Sequence, residues 1–348
     1  MAKMQVRIFA TELNNNDMKS DNSYTNMREM LKDCMTQIQT TVKNDNAPDI
    51  SSGFQDLDYM IGGFEKGKVY VIGGRPCMGK EEFMLSIILN IIIESKLPVL
   101  LFSTNNMKSD YIQRFLTIHC DIPILHLQQG LLELHDWERM DKKVGPLGDA
   151  PLFLHDSLDL PFDELVETAK KCSRGEGLRI IFIDCLQMIN FTKEDENASE
   201  RIAKVMHALK QLARQIDVPI VIGSMLGRGV EYREGIEGKQ PQLMDLANSS
   251  FIEGLADVIM MVHRPEYYHI YQDELGRDLH GRIEIIVKKN ALKPLGSFLL
   301  EYNQDTGIVS EIYDRSASKP VSLEEFGTAS KAIIKLIDTF DLEEELPF

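Results

Sequence analysis

The sequence has no apolar run that approaches the length needed to span a bilayer, and its first residues lack the apolar core of an export signal. Its five cysteines are dispersed without Cys-x-x-Cys spacing, and its eight histidines form no cluster with metal-ligand spacing. Positive charge is also scarce, because 38 basic residues face 54 acidic residues and the net charge is −16. These absences predict a cytoplasmic protein with reduced thiols, and they argue against a surface that coats nucleic acid.

The 348 residues are 43% hydrophobic, which is ample for a globular core. Continuous apolar segments alternate with helical patterns such as the one at 198–216, and this order predicts a mostly parallel sheet with helices on both faces. The predicted parallel strands lie at 69–72, 99–103, 151–154, 178–184, 218–224 and 256–262. Residues 282–288 and 296–302 are expected to form an antiparallel edge hairpin. The fold class is therefore α/β.

Four segments are expected along the chain. Residues 1–25 hold a short strand and a polar linker, and residues 26–50 hold an amphipathic helix at 26–42 and a loop. The main domain is expected at 51–312, and residues 313–348 form a connection, a short helix and an acidic tail. The amphipathic helix either packs on its own domain or docks onto a neighbouring subunit, and its spacing does not decide between the two.

A glycine-rich stretch between a predicted strand and a predicted helix has the spacing of a phosphate-binding loop, Gly-x4-Gly-Lys. The candidate nucleotide-binding residues are Gly74, Arg75, Pro76, Cys77, Met78, Gly79, Lys80 and Glu81. Backbone N–H groups of such a loop wrap a phosphate, and the lysine reaches the outer phosphates. Asp184, at the end of a later apolar strand, is the expected Mg²⁺ partner. ATP or ADP with Mg²⁺ is the expected ligand, and its binding is expected to be weakened.

Three stretches together resemble the RecA-like motor domain of DnaB-type replicative helicases, a P-loop NTPase fold: residues 52–58, 74–80 and 183–187. Residues 228–239 and 263–268 are similar to Bacteroides-type members. The resemblance covers about residues 25–312, and it implies that the helix at 26–42 is the linker helix that packs on the adjacent subunit of a hexameric ring. The family's N-terminal collar domain, which helps recruit primase, is expected to be missing.

At the positions that the resemblance makes catalytic, this sequence carries other residues. The Ser or Thr after the loop lysine is Glu81, whose carboxylate would repel a phosphate charge at about 4 Å by roughly 4 kcal/mol at an effective dielectric of about 20. The family's catalytic glutamate is Asn105, which cannot take a proton from water. The glutamine that senses the γ-phosphate is Met225, a weak acceptor.

The positions that act on neighbours or on DNA have also changed. Ala291 replaces the family's arginine finger, while Lys289 remains as a candidate for action on the adjacent subunit. Lys293 is a weaker substitute for the finger because it lacks the planar guanidinium. In the segment that resembles the DNA-tracking loop, residues 245–250, the arginine is replaced by Ala247, so binding of single-stranded DNA is not expected.

The chain ends in four acidic residues interleaved with leucine and a final Leu346, Pro347 and Phe348. This ending resembles the acidic tip of bacterial single-stranded-DNA-binding proteins, which docks on replication proteins. The alternative is a solvated acidic tail.

The sequence therefore predicts a DnaB-like paralogue that binds nucleotide, hydrolyses it poorly as a pseudo-ATPase, and acts as a regulator or ring partner in a homo- or hetero-hexamer. Two alternatives stay open. One is an active ATP-dependent helicase with a rewired metal site, and the other is an interaction scaffold that binds no nucleotide.

Overall fold

The computed structural model describes residues 48–158, 160–190, 197–247, 249–274, 276–291 and 294–312, together with Met27 and Leu31. Contacts divide the chain into Met1–Glu311 and Ile312–Phe348. The predicted strand at 4–9, the C-terminal helix and the acidic tail lie outside the described residues, as does most of the predicted helix at 26–42. Met27 and Leu31 are helical.

Eleven strands occur in the described ranges. They are β1 (Val69–Gly74), β2 (Val99–Ser103), β3 (Leu152–Asp156), β4 (Leu160–Pro161), β5 (Ile180–Ile183), β6 (Ile189–Asn190), β7 (Ile220–Met225), β8 (Val258–His263), β9 (Arg282–Asn290), β10 (Gly296–Tyr302) and β11 (Val309–Glu311).

Nine α-helices occur in the same ranges, one before β1 and the others between strands. They are α1 (Gln55–Ile61), α2 (Lys80–Leu89), α3 (Lys108–Cys120), α4 (Ile124–Gln129), α5 (Leu134–Gly148), α6 (Phe162–Gly175), α7 (Ala198–Ile216), α8 (Ile236–Lys239) and α9 (Ser249–Leu255). A π-helical turn, Asn90–Glu94, continues α2. Short 3-10 segments include Leu186–Met188, Arg228–Tyr232, Leu243–Asp245 and Pro265–Tyr268. No helix in the described ranges is long and apolar enough to cross a membrane.

One nine-stranded sheet organises the domain, in the order β11-β10-β9-β8-β1-β7-β5-β2-β3. The strands from β8 to β3 run parallel, and β9, β10 and β11 extend the sheet in antiparallel fashion. The predicted α/β architecture with a parallel sheet and an antiparallel edge is therefore confirmed. The edge has three strands rather than the two of the predicted hairpin, because β11 pairs with β10.

The sheet is covered on both faces, and β1 shows why its residues are apolar throughout. Tyr70 and Ile72 belong to one core cluster, with side chains of α1, α2 and α3. Val69 and Val71 point to the other cluster, which holds side chains of α6, α7 and α9. Because both faces of a parallel strand are covered by helices, an alternating polar pattern would leave polar groups in the core.

Helix α2 is itself enclosed by protein. Every residue from Phe83 to Leu89 is buried, including Ser86, whose hydroxyl donates to the Glu82 carbonyl at 2.8 Å. A helix that is apolar around its whole circumference is expected only in such a position. Burial of α2 fixes its N-terminus at the end of β1, and this arrangement positions the loop between them.

Candidate nucleotide-binding site

The site is built where several parallel strands end. β1 ends at Gly74, β2 at Ser103, β5 at Ile183 and β7 at Met225, and all of these lie on one edge because the strands are parallel neighbours. In open α/β sheets ligands bind outside the carboxyl ends of the strands. The predicted loop and Asp184 therefore meet at this edge.

The loop from Gly74 to Lys80 has the backbone that a phosphate cradle needs. Gly79 has φ of +85° and ends the loop directly before α2, whose first hydrogen bond runs from Phe83 N–H to the Gly79 carbonyl at 2.9 Å. Cys77 also has a positive φ, of +64°. The first N–H groups of α2 have no partner within the helix, so they and the helix dipole face the loop and favour an anion.

Lys80, the first residue of α2, is largely buried. A Cβ added to Gly74 would lie 2.9 Å from the Lys80 Cβ and 3.3 Å from its Cγ, so the lysine stem packs directly on that glycine. The residue is only 9% exposed. Within the part of the chain that the structure describes, Lys80 Nζ has no hydrogen bond or ion pair. A largely buried cation without a protein partner is costly unless an anion binds it.

Arg75 holds the loop to the segment Arg228–Tyr232. Its Nε donates to Glu231 Oε1 at 3.0 Å, and one terminal nitrogen donates to the Leu226 carbonyl at 3.1 Å. The hydroxyl of Tyr268 also donates to Glu231, at 3.3 Å, and burial with the Glu231 charge raises the pKa of Tyr268 to about 12. Arg75 is thus committed to protein partners and fixes the shape of the loop.

Asp184 is buried and surrounded by donors. Oδ1 accepts from the backbone N–H of Thr104 at 2.9 Å and from its hydroxyl at 2.5 Å. Oδ2 accepts from the hydroxyl of Tyr111 at 2.8 Å and from the N–H of Asn105 at 3.3 Å. Both carboxylate oxygens are therefore held by the end of β2 and by α3.

Tyr111 is a permanent donor in this cluster. It is 2% exposed, and burial together with the neighbouring charge of Asp184 raises the pKa of its hydroxyl far above the usual range. The phenol consequently stays protonated and keeps its hydrogen bond to Asp184 at any physiological pH.

Glu81 has a cationic partner in α3. Its Oε2 lies 2.7 Å from a terminal nitrogen of Arg114, and Glu82 Oε1 lies 3.4 Å from the same nitrogen. Burial by itself would lower the pKa of Arg114, but the two carboxylates outweigh it and the pKa is raised. The charge of Glu81, expected to repel a phosphate, is thus largely compensated inside the protein.

Two of the substituted catalytic positions lie at the same edge as the loop. Asn105 is exposed and contributes its backbone N–H to Asp184. Met225, at the end of β7, is 38% exposed, and its N–H donates to Gln187 Oε1 at 3.1 Å. Gln187 also donates to the Ser224 hydroxyl at 3.0 Å and so ties the end of β7 to the segment after β5.

Lys289 and Ala291 lie near the amino ends of the parallel strands, at the opposite end of the sheet from the loop. In the register of β8 with β9, Lys289 is opposite Ile259 and Asn290 is opposite Val258, at the amino end of β8. Lys289 Nζ donates to the carbonyls of Glu253 and Ala256, the latter at 2.6 Å, and therefore caps the C-terminal end of α9. The structure does not bring these two residues to the loop of their own chain. Lys293 and the tail residues Leu346, Pro347 and Phe348 lie outside the described residues.

Sequence reasoning missed Tyr111, Arg114 and Thr104, which complete the site. Their bonds to Asp184 and Glu81 cross 33 to 80 residues of chain. The sequence contained one signal, because a carboxylate in the unusual position of Glu81 needs a nearby cation. Helix α3 follows β2, the strand next to β5, and so lies close to the site. The partner could not be identified without the packing of α3 on α2.

Several known proteins are similar to this chain in sequence or in fold. Residues 49–310 match the model of the DnaB-like helicase C-terminal domain family. The replicative DNA helicase DnaB of Geobacillus stearothermophilus is 28% identical over 292 residues, which cover 82% of this chain and 63% of that protein. The probable replicative DNA helicase of Trieres chinensis is 30% identical over 290 residues, which cover 83% of this chain and 62% of that protein. The chain thus spans less than two thirds of the length of these curated relatives.

Solved structures show the same fold. An ATPase domain solved as a separate chain superposes with a TM-score of 0.74 at 23% identity, and the match covers 84% of this chain and 100% of that domain. A DnaB-like replicative helicase, described with its interactions with primase, gives 0.72 at 22% identity, and the match covers 89% of this chain and 76% of that helicase.

The sheet, the loop after β1 and Asp184 after β5 define a RecA-like P-loop domain. Since the family model matches most of the sequence, the chain belongs to the DnaB-like helicase C-terminal domain family. The resemblance found in the motifs is therefore confirmed.

Proposed function

We propose that this chain is a nucleotide-binding, DnaB-like protein of DNA replication whose own ATP hydrolysis is impaired, and that it acts as a regulator or ring partner of related subunits. The single observation that carries the proposal is the contrast between Lys80 and Asn105. Lys80 is largely buried and has no hydrogen-bond or ion-pair partner among the described residues, whereas an amide occupies the position of the family's base.

Nucleotide binding is supported by the loop itself. Lys80 is the first residue of α2, so its positive charge and the helix N-terminus lie at the same end of the loop, whose shape Arg75 and Gly79 fix. The resemblance makes ATP or ADP the ligand. A scaffold that binds no nucleotide would not need a largely buried lysine without a protein partner.

Impaired hydrolysis is supported by the side chains that would have to act. Asn105 cannot remove a proton from the attacking water, and the thioether of Met225 accepts hydrogen bonds only weakly. Ala291 offers no charge to a neighbouring site, and loss of an arginine finger costs about 10³–10⁵ in turnover in related phosphoryl-transfer enzymes. An active helicase with Glu81 as a metal ligand is the rival, and the ion pair with Arg114 argues against it.

A ring partnership is supported by an exposed apolar stripe, which we call the α5 face: Leu131, Leu134, Trp137 and Val144. These side chains are 58%, 77%, 56% and 40% exposed. Leu134, Trp137 and Val144 share one side of α5 because they are spaced by three and seven residues. Large apolar side chains exposed on one side of a helix are candidates for contact with a partner.

The proposed occupant of the α5 face is the helix that the sequence predicts at 26–42, from a second or related copy. Two apolar residues of that helix, Met27 and Leu31, are 67% and 55% exposed, so they are available to another subunit.

The predicted docking of Leu346, Pro347 and Phe348 onto replication proteins remains a separate proposal. Deleting these three residues should remove partners recovered by pull-down, and unchanged partners would contradict it.

The test of the main proposal is steady-state ATP turnover with and without single-stranded DNA, in the wild type and in Lys80→Ala. We expect the two proteins to be indistinguishable, because neither can complete hydrolysis. Turnover by the wild type that rises with DNA and disappears in Lys80→Ala would contradict the proposal and favour an active helicase.

A further inference from the structure

The position where a P-loop protein binds magnesium has an unusual set of partners in this chain. Mg²⁺ requires near-octahedral oxygen ligands and usually keeps several waters around it. A carboxylate has about four acceptor sites. Asp184 uses its two oxygens for four donors, which belong to Thr104, Asn105 and Tyr111. To serve a metal or its waters, Asp184 would have to give up hydrogen bonds that the buried protein groups need.

The second expected ligand has been replaced as well. The hydroxyl that would follow Lys80 is absent, and the carboxylate of Glu81 in its place is bound to Arg114 at 2.7 Å. Moving Glu81 to a metal would leave the partly buried guanidinium with only the longer contact to Glu82, at 3.4 Å. Breaking this pair, whose side chains are 32% and 30% exposed, would cost the guanidinium its shorter contact.

Little space separates these groups. Glu81, Tyr111 and Asp184 line one small cavity, together with apolar side chains of α2 and β2, and its volume is about 10 Å³. That is at the lower limit for a single water molecule. The space that Glu81, Tyr111 and Asp184 share therefore does not hold a hydrated cation.

We propose that the loop binds the phosphates of a nucleotide without a divalent cation. The proposal rests on the nucleotide binding proposed above and specifies the ionic form of the ligand. Lys80 and the N-terminus of α2 supply the positive charge for the phosphates. Tyr111 and Arg114 occupy Asp184 and Glu81, the two carboxylates that would otherwise be available to a metal. Magnesium in solution then adds nothing to affinity, since the protein offers it no ligands.

The test is equilibrium binding of a ribose-labelled fluorescent ADP to the full chain, measured by anisotropy with excess EDTA and again with saturating magnesium chloride. We expect the dissociation constants to agree within about twofold, or binding in EDTA to be the tighter. Magnesium that tightens binding about tenfold or more would overturn the inference and leave the proposed function standing. Absence of ADP binding under both conditions would instead overturn the proposed function.

A pair of variants tests whether Glu81 and Tyr111 are responsible. The double variant Glu81→Thr with Tyr111→Phe restores a hydroxyl after Lys80 and removes the shorter of the two hydrogen bonds to Oδ2 of Asp184, which leaves only the 3.3 Å bond from the Asn105 N–H. It should gain about tenfold in ADP affinity on addition of magnesium. The matched control is Glu82→Thr with Tyr111→Phe, which makes the same chemical change one residue further along and should gain nothing. A double variant that stays indifferent to magnesium would overturn the role assigned to these two residues.

Discussion

At the scale of single residues, the site depends on positions where the backbone leaves no room for a side chain. Among the glycines at the carboxyl ends of the parallel strands, Gly223 in β7 has the least space for a side chain. A Cβ placed there would lie 2.2 Å from the carbonyl oxygen of Asp184 and 3.2 Å from Met84 Sδ. Because both strands are fixed in the central sheet, neither backbone can move aside without loss of hydrogen bonds. The absence of a side chain therefore determines how closely β7 approaches Asp184.

Replacing Gly223 by alanine should destabilise the protein by about 2–3 kcal/mol, since the added methyl overpacks the space between β5 and β7. The matched control is Gly254→Ala in α9, where a Cβ meets nothing within 4 Å. There the change should stabilise by about 0.5–1 kcal/mol, because alanine is the better helix former. Urea denaturation measures both, and equal effects would contradict the argument.

His263 is the residue that should make stability depend on pH. It is 3% exposed at the end of β8 and stacks on Tyr268. Burial, with a smaller contribution from the charge of Lys288, lowers its pKa to about 4. Between the ordinary histidine pKa and this value, the unfolded chain binds a proton that the folded chain does not. The contribution of His263 to the free energy of unfolding is therefore fully present above about pH 6.5 and is lost as the pH falls toward 4.

The loss over that interval should be on the order of 3 kcal/mol, and His263→Gln should remove most of the dependence on pH. Free energies of unfolding measured between pH 7.5 and 4 for wild type, His263→Gln and the exposed control His207→Gln would test this. A wild-type slope that persists in His263→Gln would show that another group is responsible.

At the scale of elements, Lys289 belongs to the end of a helix rather than to the phosphate site of its own chain. Its ammonium bonds the carbonyls of Glu253 and Ala256 at the C-terminal end of α9. Carbonyls at that end carry partial negative charge and have no partner within the helix. Lys289→Met should lower stability by about 1 kcal/mol. The control Lys142→Met, on the exposed side of α5, should have little effect in the same denaturation experiment.

Element boundaries also show how much of this architecture could be predicted from sequence. The segments 99–103 and 198–216 were predicted as they are observed, because a run of buried residues and a 3.6-residue period are local signals. Helix α2 begins at Lys80 rather than at the first apolar residue, Phe83, because the loop ends at Gly79, directly before the lysine. Contacts of α3 with Asp184 and Glu81 were not predicted, since they depend on how distant elements pack.

At the scale of the whole molecule, the α5 face has consequences for assembly. Trp137 is the only tryptophan of the chain, and 56% of it is exposed. If the α5 face receives a helix from another copy, the indole is transferred from water to an apolar environment. Its emission should then shift to shorter wavelength as protein concentration rises, in step with the mass measured by light scattering.

Leu134→Asp should abolish that concentration dependence, because a charge in the centre of the stripe would have to be desolvated. Leu295→Asp makes the same change at a leucine that is 59% exposed before β10, and it should leave assembly intact. If both variants assemble as the wild type does, the α5 face is not the interface.

The measurement that tests the central claim most directly is a single-turnover experiment with excess protein, trace radiolabelled ATP and magnesium. Filter retention reports binding, and chromatography of the retained nucleotide reports hydrolysis. We expect ATP to be retained and recovered intact, because Lys80 holds the phosphates while Asn105 activates no water. Conversion to ADP at about 1 s⁻¹ or faster, as in an ordinary enzyme, would contradict the account, and so would failure to retain ATP.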